Sequence, residues 1–265
     1  MYEPGSTNKV VTIAAALEAG LVTPDTVLQV PNSITQLDMT VRDIVRESSN
    51  VGTIKIAGLL GKERFEQALR NFGLGQPTGL NFPGEAEGIL LPLEQYNDTS
   101  MYSMPVGYEI GVNAMQMLDM YMTIANGGVA RAPRLVAATI DADGERHDAP
   151  LGATRRVVSE QTAALMRGML EGVVADGTGV KAQIPGYTAA GKTGTARKAP
   201  YDEPPYKYVA SFVGFAPAQT PRLAAIVVLD EPNTGSSRYY GGQISAPVFA
   251  RIMQYALAVE RVPAQ

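Results

Sequence analysis

Two apolar runs near the C-terminal end, Tyr208 to Phe215 and Arg222 to Leu229, are separated by only six residues, Ala-Pro-Ala-Gln-Thr-Pro. Both have the length and the β-branched and aromatic content of strands. A link this short cannot carry the crossover that parallel strands need, so the two pair antiparallel. A further strand is expected from Tyr187 to Arg197, and an apolar helical pattern from about Ser245 to Val259 supplies a cover for one sheet face. The chain ahead of this sheet reads mainly as helix. Helices first, then an antiparallel sheet with a covering helix, specify an α+β fold.

The helical part has clear punctuation. One pattern runs from about Ser6 to Glu18 and ends at Gly20, and a polar extended stretch with Pro24, Pro31 and Asn32 follows. A second helix from about Thr40 leads to the turn Ser48-Ser49-Asn50. Phe65, Leu69 and Phe72 lie one turn apart in a helix closed by Gly73, and residues 74–108 are rich in Gly and Pro and read as loop. Val112, Met115, Leu118, Tyr121, Met122 and Ala125 form a helical stripe, read as core, that stops at Asn126-Gly127-Gly128. Leu135 to Ile140, the turn Asp141-Ala142-Asp143-Gly144 and the residues after it form an exposed hairpin. Ser159 is the N-cap of a helix through Val174.

Length allows one large domain or two small ones. The expectation is a single domain over residues 1–265, with a helical part at about 6–130 and 159–175, a hairpin insertion at about 132–158, and the sheet with its helix at about 186–259. No run approaches the ~18 consecutive apolar residues of a membrane span. Val10 to Val22 contains Glu18 and reads as a buried helix, and Met1-Tyr-Glu-Pro-Gly has no basic leader character. The chain by itself is expected to be soluble.

Composition narrows the chemistry. There is no cysteine, which excludes disulfides, thiol nucleophiles and zinc–thiolate sites, and the single histidine, His147, lies in a solvated hairpin context. Proton handling therefore falls to Lys, Asp, Glu or Tyr. A net charge of −4 offers no footprint for nucleic acid, and neither a cofactor nor a metal is expected.

One segment supports two readings. Gly186 to Thr193 matches the phosphate-binding pattern G-x-x-x-x-G-K-[ST], and Ala225 to Glu231 resembles an apolar strand ending in a metal-binding acid. A phosphate loop needs a strand before it and a helix starting at the Lys-Thr. Here Lys-Ala-Gln-Ile-Pro precedes Gly186, while Gly194, Pro200, Pro204 and Pro205 follow, so a helix has no room. The other reading takes Lys192-Thr193-Gly194 on a strand, together with Ser6-Thr-Asn-Lys9 at a helix start and Ser48-Ser49-Asn50 in a turn. Spacing i to i+3 puts Ser6 and Lys9 on one face, so the lysine can reach the hydroxyl. Ser6 at a helix N-terminus sits in a field that favours a developing oxyanion. Partial burial and a second cation, for which Lys192 is the candidate, lower a lysine pKa enough to make it a base.

The ordered trio, with Tyr2-Glu-Pro-Gly before Ser6 and with Gly107-Tyr-Glu-Ile-Gly-Val112 and Ala190 to Ala196, resembles class B penicillin-binding proteins, the division-type peptidoglycan transpeptidases, from Tyr2 to about Ala258. The resemblance implies the penicillin-binding protein/serine β-lactamase-like fold. It implies that Ser6 attacks the carbonyl between the two terminal D-alanines of a stem peptide, that Lys9 takes its proton, and that Ser48 relays a proton to the leaving amine. Asn50 then bonds the donor amide, Lys192 orients Ser48, and Thr193, Gly194 and Thr195 bind the terminal carboxylate. The backbone N–H groups of Ser6 and Thr195 form the oxyanion hole. Implied partners are stem peptides, donor and acceptor, with β-lactams as covalent inhibitors, and division membrane proteins in the full-length parent. The implied location is the extracytoplasmic face of the cytoplasmic membrane.

The sequence also departs from that family. Its domain normally has a helix and two strands before the nucleophile, preceded by a pedestal domain and membrane anchor, whereas five residues precede Ser6 here. The expectation is a catalytic domain lacking its N-terminal part, with an open edge at the strand Arg222 to Leu229. The stretch Asn32 to Met39 stands where a longer excursion is expected. Three alternatives remain: a β-lactam hydrolase, a non-catalytic β-lactam sensor or scaffold, and, remotely, a P-loop nucleotidase.

Overall fold

The computed structural model describes residues 1–31, 36–232 and 239–264. A 3-10 turn over Gly5–Asn8 runs directly into helix α1 (Lys9–Glu18), eight of whose residues are buried. A helix apolar on all sides belongs at the centre of a core, and α1 is packed by α3, α4 and α7 as those elements arrive. The chain next forms a hairpin of β1 (Val27–Pro31) and β2 (Gln36–Thr40), the first part of the Asn32 to Met39 stretch lying outside the described residues. Thr40 and Asp43 cap each other at the start of α2 (Val41–Arg46). Ser49 then accepts the Gly52 N–H to cap α3 (Asn50–Leu60), and α4 (Lys62–Asn71) follows.

A long loop carrying the short helix α5 (Ser100–Ser103) leads to α6 (Ala114–Ala125), opened by an Asn113–Gln116 capping box. The insertion after it contains β3 (Val129–Arg131), β4 (Ala138–Ile140), β5 (Arg146–Asp148) and β6 (Thr154–Arg156), paired antiparallel as β3–β6 and β4–β5. Helix α7 (Glu160–Ala175) starts at the Ser159 cap. The sheet comes last: β7 (Ala190–Arg197), β8 (Tyr208–Ala216) and β9 (Leu223–Asp230), then α8 (Gly241–Ile244) and α9 (Ala246–Val259).

Strand order is β7-β8-β9, antiparallel throughout. Strand alternation sends Val213 and Phe215 into the helical core, with Ala224 and Ile226 beside them, and sends Phe212, Ala216 and Val227 the other way, under Phe249, Met253 and Leu257 of α9. The sheet is thus a partition between two apolar clusters. Among the described residues β7 and β9 each pair on one side only. Lys192 sits opposite Val213, in the middle of β7. No helix starts at Lys192-Thr193, so the phosphate-loop reading fails on its first structural requirement.

Three local expectations need correction. The α-helix expected from Ser6 begins at Lys9, because Gly5 donates its N–H outward to Gly107 and Thr7 bonds back to Pro4, tightening the first turn. Helix α3 has no counterpart in the sequence reading; Gly52 and β-branched Val51, Thr53, Ile54 and Ile56 are poor helix formers, and packing overrides them. Gly52 lies so close to Ile44 that a Cβ there would be 2.6 Å from it. The buried stripe of α6 is Met117, Met120, Tyr121 and Ile124. The stripe read from sequence shares only Tyr121 of these, Val112 being buried ahead of the helix; Met115, Leu118, Met122 and Ala125 are half-buried. The misphasing arises because several faces of α6 are apolar, packing against α7, β3, β8 and β9.

Candidate active site

The turn that carries Ser6 is wedged between β7 and the segment before Ile110. Gly5 N–H donates to Gly107 O at 3.0 Å, Asn8 Nδ2 to Met104 O at 2.9 Å, and the buried Tyr121 hydroxyl to Thr7 O at 2.9 Å. No side chain fits at either contact surface. A Cβ on Gly107, at φ +90°, would lie 2.1 Å from Gly5 O, and one on Gly194 would lie 2.3 Å from Ser211 Oγ and 2.9 Å from Pro4 O. Ser6 is half-buried at a cleft of about 450 Å³ shared with Ser48, Thr178, Thr193, Thr195 and Tyr240.

Lys9, one turn on from Ser6, is only 3% exposed. Its Nζ donates to Ser48 O at 2.5 Å, to Asn50 Oδ1 at 2.6 Å and to Ser48 Oγ at 3.2 Å. The α2–α3 turn presents all three oxygens to one amine because Ser48 adopts the left-handed conformation, φ +59°. That conformation is costly for a side-chain-bearing residue and marks a backbone held for a purpose. Burial first, and the neighbouring Lys192 charge second, push the Lys9 pKa well below the ordinary lysine range. Lys192, 1% exposed, is itself lowered to about 7 by burial. Among the described residues its hydrogen-bond partners are the carbonyl and hydroxyl of Thr193, both at 3.4 Å.

The structure therefore gathers Lys9, Ser48 and Asn50 into one hydrogen-bonded group, with Ser6 and Thr193-Gly194-Thr195 around the same cleft. Two expected contacts are not made: Lys9 bonds the Ser48 turn rather than Ser6 Oγ, and Lys192 does not bond Ser48. Lys9 is the first residue of α1 and its long side chain crosses to α2–α3, where three acceptors outcompete one hydroxyl.

Thr193 Oγ1 pairs with Thr178 Oγ1 at 3.0 Å, and Thr195 Oγ1 accepts the Gly241 N–H at 3.0 Å. Thr178 and Tyr240 were missed from sequence. Their signals, Gly177-Thr178-Gly179 after a helix and Tyr239-Tyr240-Gly241-Gly242, give small residues flanking a polar one. Past Thr195 and Tyr240 the cleft continues into a groove of about 530 Å³ walled by tyrosines, Glu109 and Arg197. His147 is exposed in the hairpin and bonded to Asp141, outside the cleft.

Residues 1–254 match the family described as the penicillin binding protein transpeptidase domain. The chain is similar to penicillin-binding protein PbpB of Mycolicibacterium smegmatis, 39% identical over 288 residues, covering 99% of this chain and 44% of that protein. It is 33% identical over 264 residues to the peptidoglycan D,D-transpeptidase FtsI of Escherichia coli, covering 96% of this chain and 43% of the other. The solved structure of penicillin binding protein 3 from Mycobacterium tuberculosis complexed with ampicillin matches with a TM-score of 0.90 and 38% identity, covering all of this chain and 63% of that one. The chain thus spans less than half the length of these two curated relatives.

Proposed function

The chain belongs to the penicillin-binding protein transpeptidase family, and from that premise we propose that it is a serine acyltransferase that cross-links peptidoglycan stem peptides, with Ser6 as nucleophile. The observation that carries this reading is the Lys9 amine, buried beside Lys192 and shared by Ser48 and Asn50, on the face of the turn that carries Ser6. Burial, and then the Lys192 charge, make this lysine give up its proton far more readily than an ordinary one, which a serine nucleophile needs of its base and the chain's one exposed histidine does not provide.

In the proposed sequence, Ser6 Oγ bonds to the carbonyl carbon between the terminal D-alanines while its proton passes to Lys9. The oxyanion is held by the backbone N–H groups of Ser6 and Thr195. The C–N bond then breaks and the leaving amine takes a proton through Ser48, whose hydroxyl Lys9 already contacts. A side-chain amine of a second stem peptide attacks the acyl-enzyme, gives up a proton, and returns Ser6 to its hydroxyl form. Thr193 and Thr195 bind the terminal carboxylate, Asn50 the donor amide, and Lys192 supplies positive potential. β-Lactams present a ring amide to the same attack, and the ampicillin complex of the mycobacterial relative supports that extension. Among the described residues lining the cleft none is a carboxylate, which favours transfer to an amine over rapid hydrolysis.

Such chemistry belongs outside the cytoplasmic membrane, with division membrane proteins as partners of the whole protein. Among the described residues no helix is long and apolar enough to cross a membrane. The test is incubation with a D-Ala-D-Ala donor and an amine acceptor: cross-linked dimer and free D-alanine are expected, and both vanish in Ser6→Ala. Fast turnover of a chromogenic cephalosporin would favour a hydrolase. Magnesium-dependent nucleotide binding lost in Lys192→Ala would overturn the reading.

A further inference from the structure

Helix α6 carries a carboxylate that neither the core nor the Ser6 cleft uses. Asp119 and Met122 share the face of α6 opposite its buried stripe, and that face looks toward the insertion. With β3 and the neighbouring residues 132–134 and 151–152 it bounds a pocket of about 400 Å³, for which Met122, Val129 and Leu151 supply apolar walls. The two sides of the insertion are closed on each other. Ala132 N–H donates to Ala153 O at 3.0 Å, and a Cβ on Gly152 would lie 2.0 Å from Ala132 O. A pocket held in this way needs little ordering when a ligand enters.

The charges around the pocket are left open. Asp119 is half-buried, and among the described residues its carboxylate forms neither a hydrogen bond nor an ion pair. Only its backbone carbonyl is engaged, accepting Thr123 Oγ1–H at 2.9 Å. Burial pushes the Asp119 pKa up to about 6, against the pull of the Arg155 charge. Covered polar groups without a partner are uncommon and call for one. Arg131 and Arg134 line the same pocket, each giving an Nη1 N–H to a backbone carbonyl of the insertion, Gly152 O and Ala149 O respectively. Among the described residues neither guanidinium belongs to an ion pair, and most of its five donors stay free. A simple anion entering here meets Asp119, and a simple cation meets two arginines. A zwitterion satisfies both signs.

We propose that this pocket binds a free α-amino acid with an aliphatic side chain. Asp119 takes the ammonium, Arg131 and Arg134 take the carboxylate, and Met122, Val129 and Leu151 receive the side chain. Its volume lies within the range of about 300–1,000 Å³ usual for small-molecule sites. Among the described residues it shares no lining residue with the Ser6 cleft, so the site stands apart from the acyl-transfer reading.

The test titrates the whole chain with leucine of each hand, read by saturation-transfer NMR, beside two analogues that each lack one charge, isoamylamine and isocaproate. At least one hand of leucine is expected to bind, and each analogue to bind about tenfold or more weaker, because each leaves one side of the pocket unanswered. Asp119→Asn and Arg134→Gln should each weaken leucine binding by about tenfold or more. Asp119→Asn removes an unpaired, half-buried charge, so it should melt no lower than the wild type. Penicillin acylation of Ser6 stays unchanged in both variants. If Asp119→Asn does melt lower, Arg134→Gln, at an exposed position, decides alone. Failure of both hands of leucine to bind, equal affinity for leucine and the two analogues, or leucine binding unchanged in Arg134→Gln overturns the site.

Discussion

Replacing Gly107 with alanine isolates how the nucleophile turn is held. The added Cβ meets Gly5 O at 2.1 Å and Gly5 N at 2.5 Å, both backbone atoms of the Ser6 turn, at a φ of +90°. The left-handed conformation costs an alanine about 1–2 kcal/mol, and forcing a methyl into a filled space costs about 1–3 kcal/mol more. A destabilisation of about 2–5 kcal/mol, or a fall of about 5–15 °C in Tm for a chain of this size, follows. Because the clash displaces the turn itself, penicillin acylation should fall further, by about a hundredfold for a shift of about 1 Å. Gly144→Ala is the matched control: φ is +83° there too, but nothing lies within 4 Å. It should cost about 1–2 kcal/mol and leave acylation unchanged. Thermal melts and stopped-flow acylation read both variants. Equal melting temperatures for the two, or wild-type acylation in Gly107→Ala, would refute the argument that the backbone contact positions Ser6.

Other outcomes follow from the buried lysines and the contacts around them. Lys192 has a folded pKa near 7 against an ordinary 10.5, so the unfolded chain binds more protons between those values and stability rises with pH from about 7 toward 10; urea titrations across that range should lose much of the rise in Lys192→Met. Acylation should increase with pH as Lys9 loses its proton, and Lys9→Met should abolish it with the fold intact by circular dichroism. Asn50→Ala removes the Oδ1 that accepts a hydrogen bond from the Lys9 amine, which should cost about 1 kcal/mol and about 2–4 °C in Tm, and acylation slows because the amine is no longer held at the Ser48 turn. Tyr121→Phe strips a buried carbonyl, Thr7 O, of its donor and should cost about 1–3 kcal/mol in urea unfolding.

The sheet and its covering helix were legible because a six-residue link and period-2 apolar runs leave one solution, and Tyr208 to Phe215 appears as β8 within one residue. Caps at Ser159 and the stop at Asn126 were equally readable, since they depend on adjacent residues. Helix α3 was not, because its stability lies in Gly52 against Ile44, a contact invisible to propensity. The phase of the α6 stripe was ambiguous where several faces are apolar. At the site, the ordered trio marked Ser6, Lys9, Ser48, Asn50 and Lys192, all near one cleft. What it did not convey is which atoms meet: Lys9 turns to Ser48 and Asn50 because the left-handed Ser48 points two oxygens at it. Thr178 and Tyr240 come from elements far apart in sequence, and only the closure of α7 and α8 onto β7 brings them in.

The central claim is that Ser6 is the acylated residue. Reacting the intact chain with penicillin, digesting with trypsin and locating the adduct by tandem mass spectrometry tests it directly. A single penicilloyl group on Ser6, in the N-terminal peptide that ends at Lys9, absent in Ser6→Ala, is the predicted result; an adduct that maps to Ser48 or persists in Ser6→Ala would contradict it.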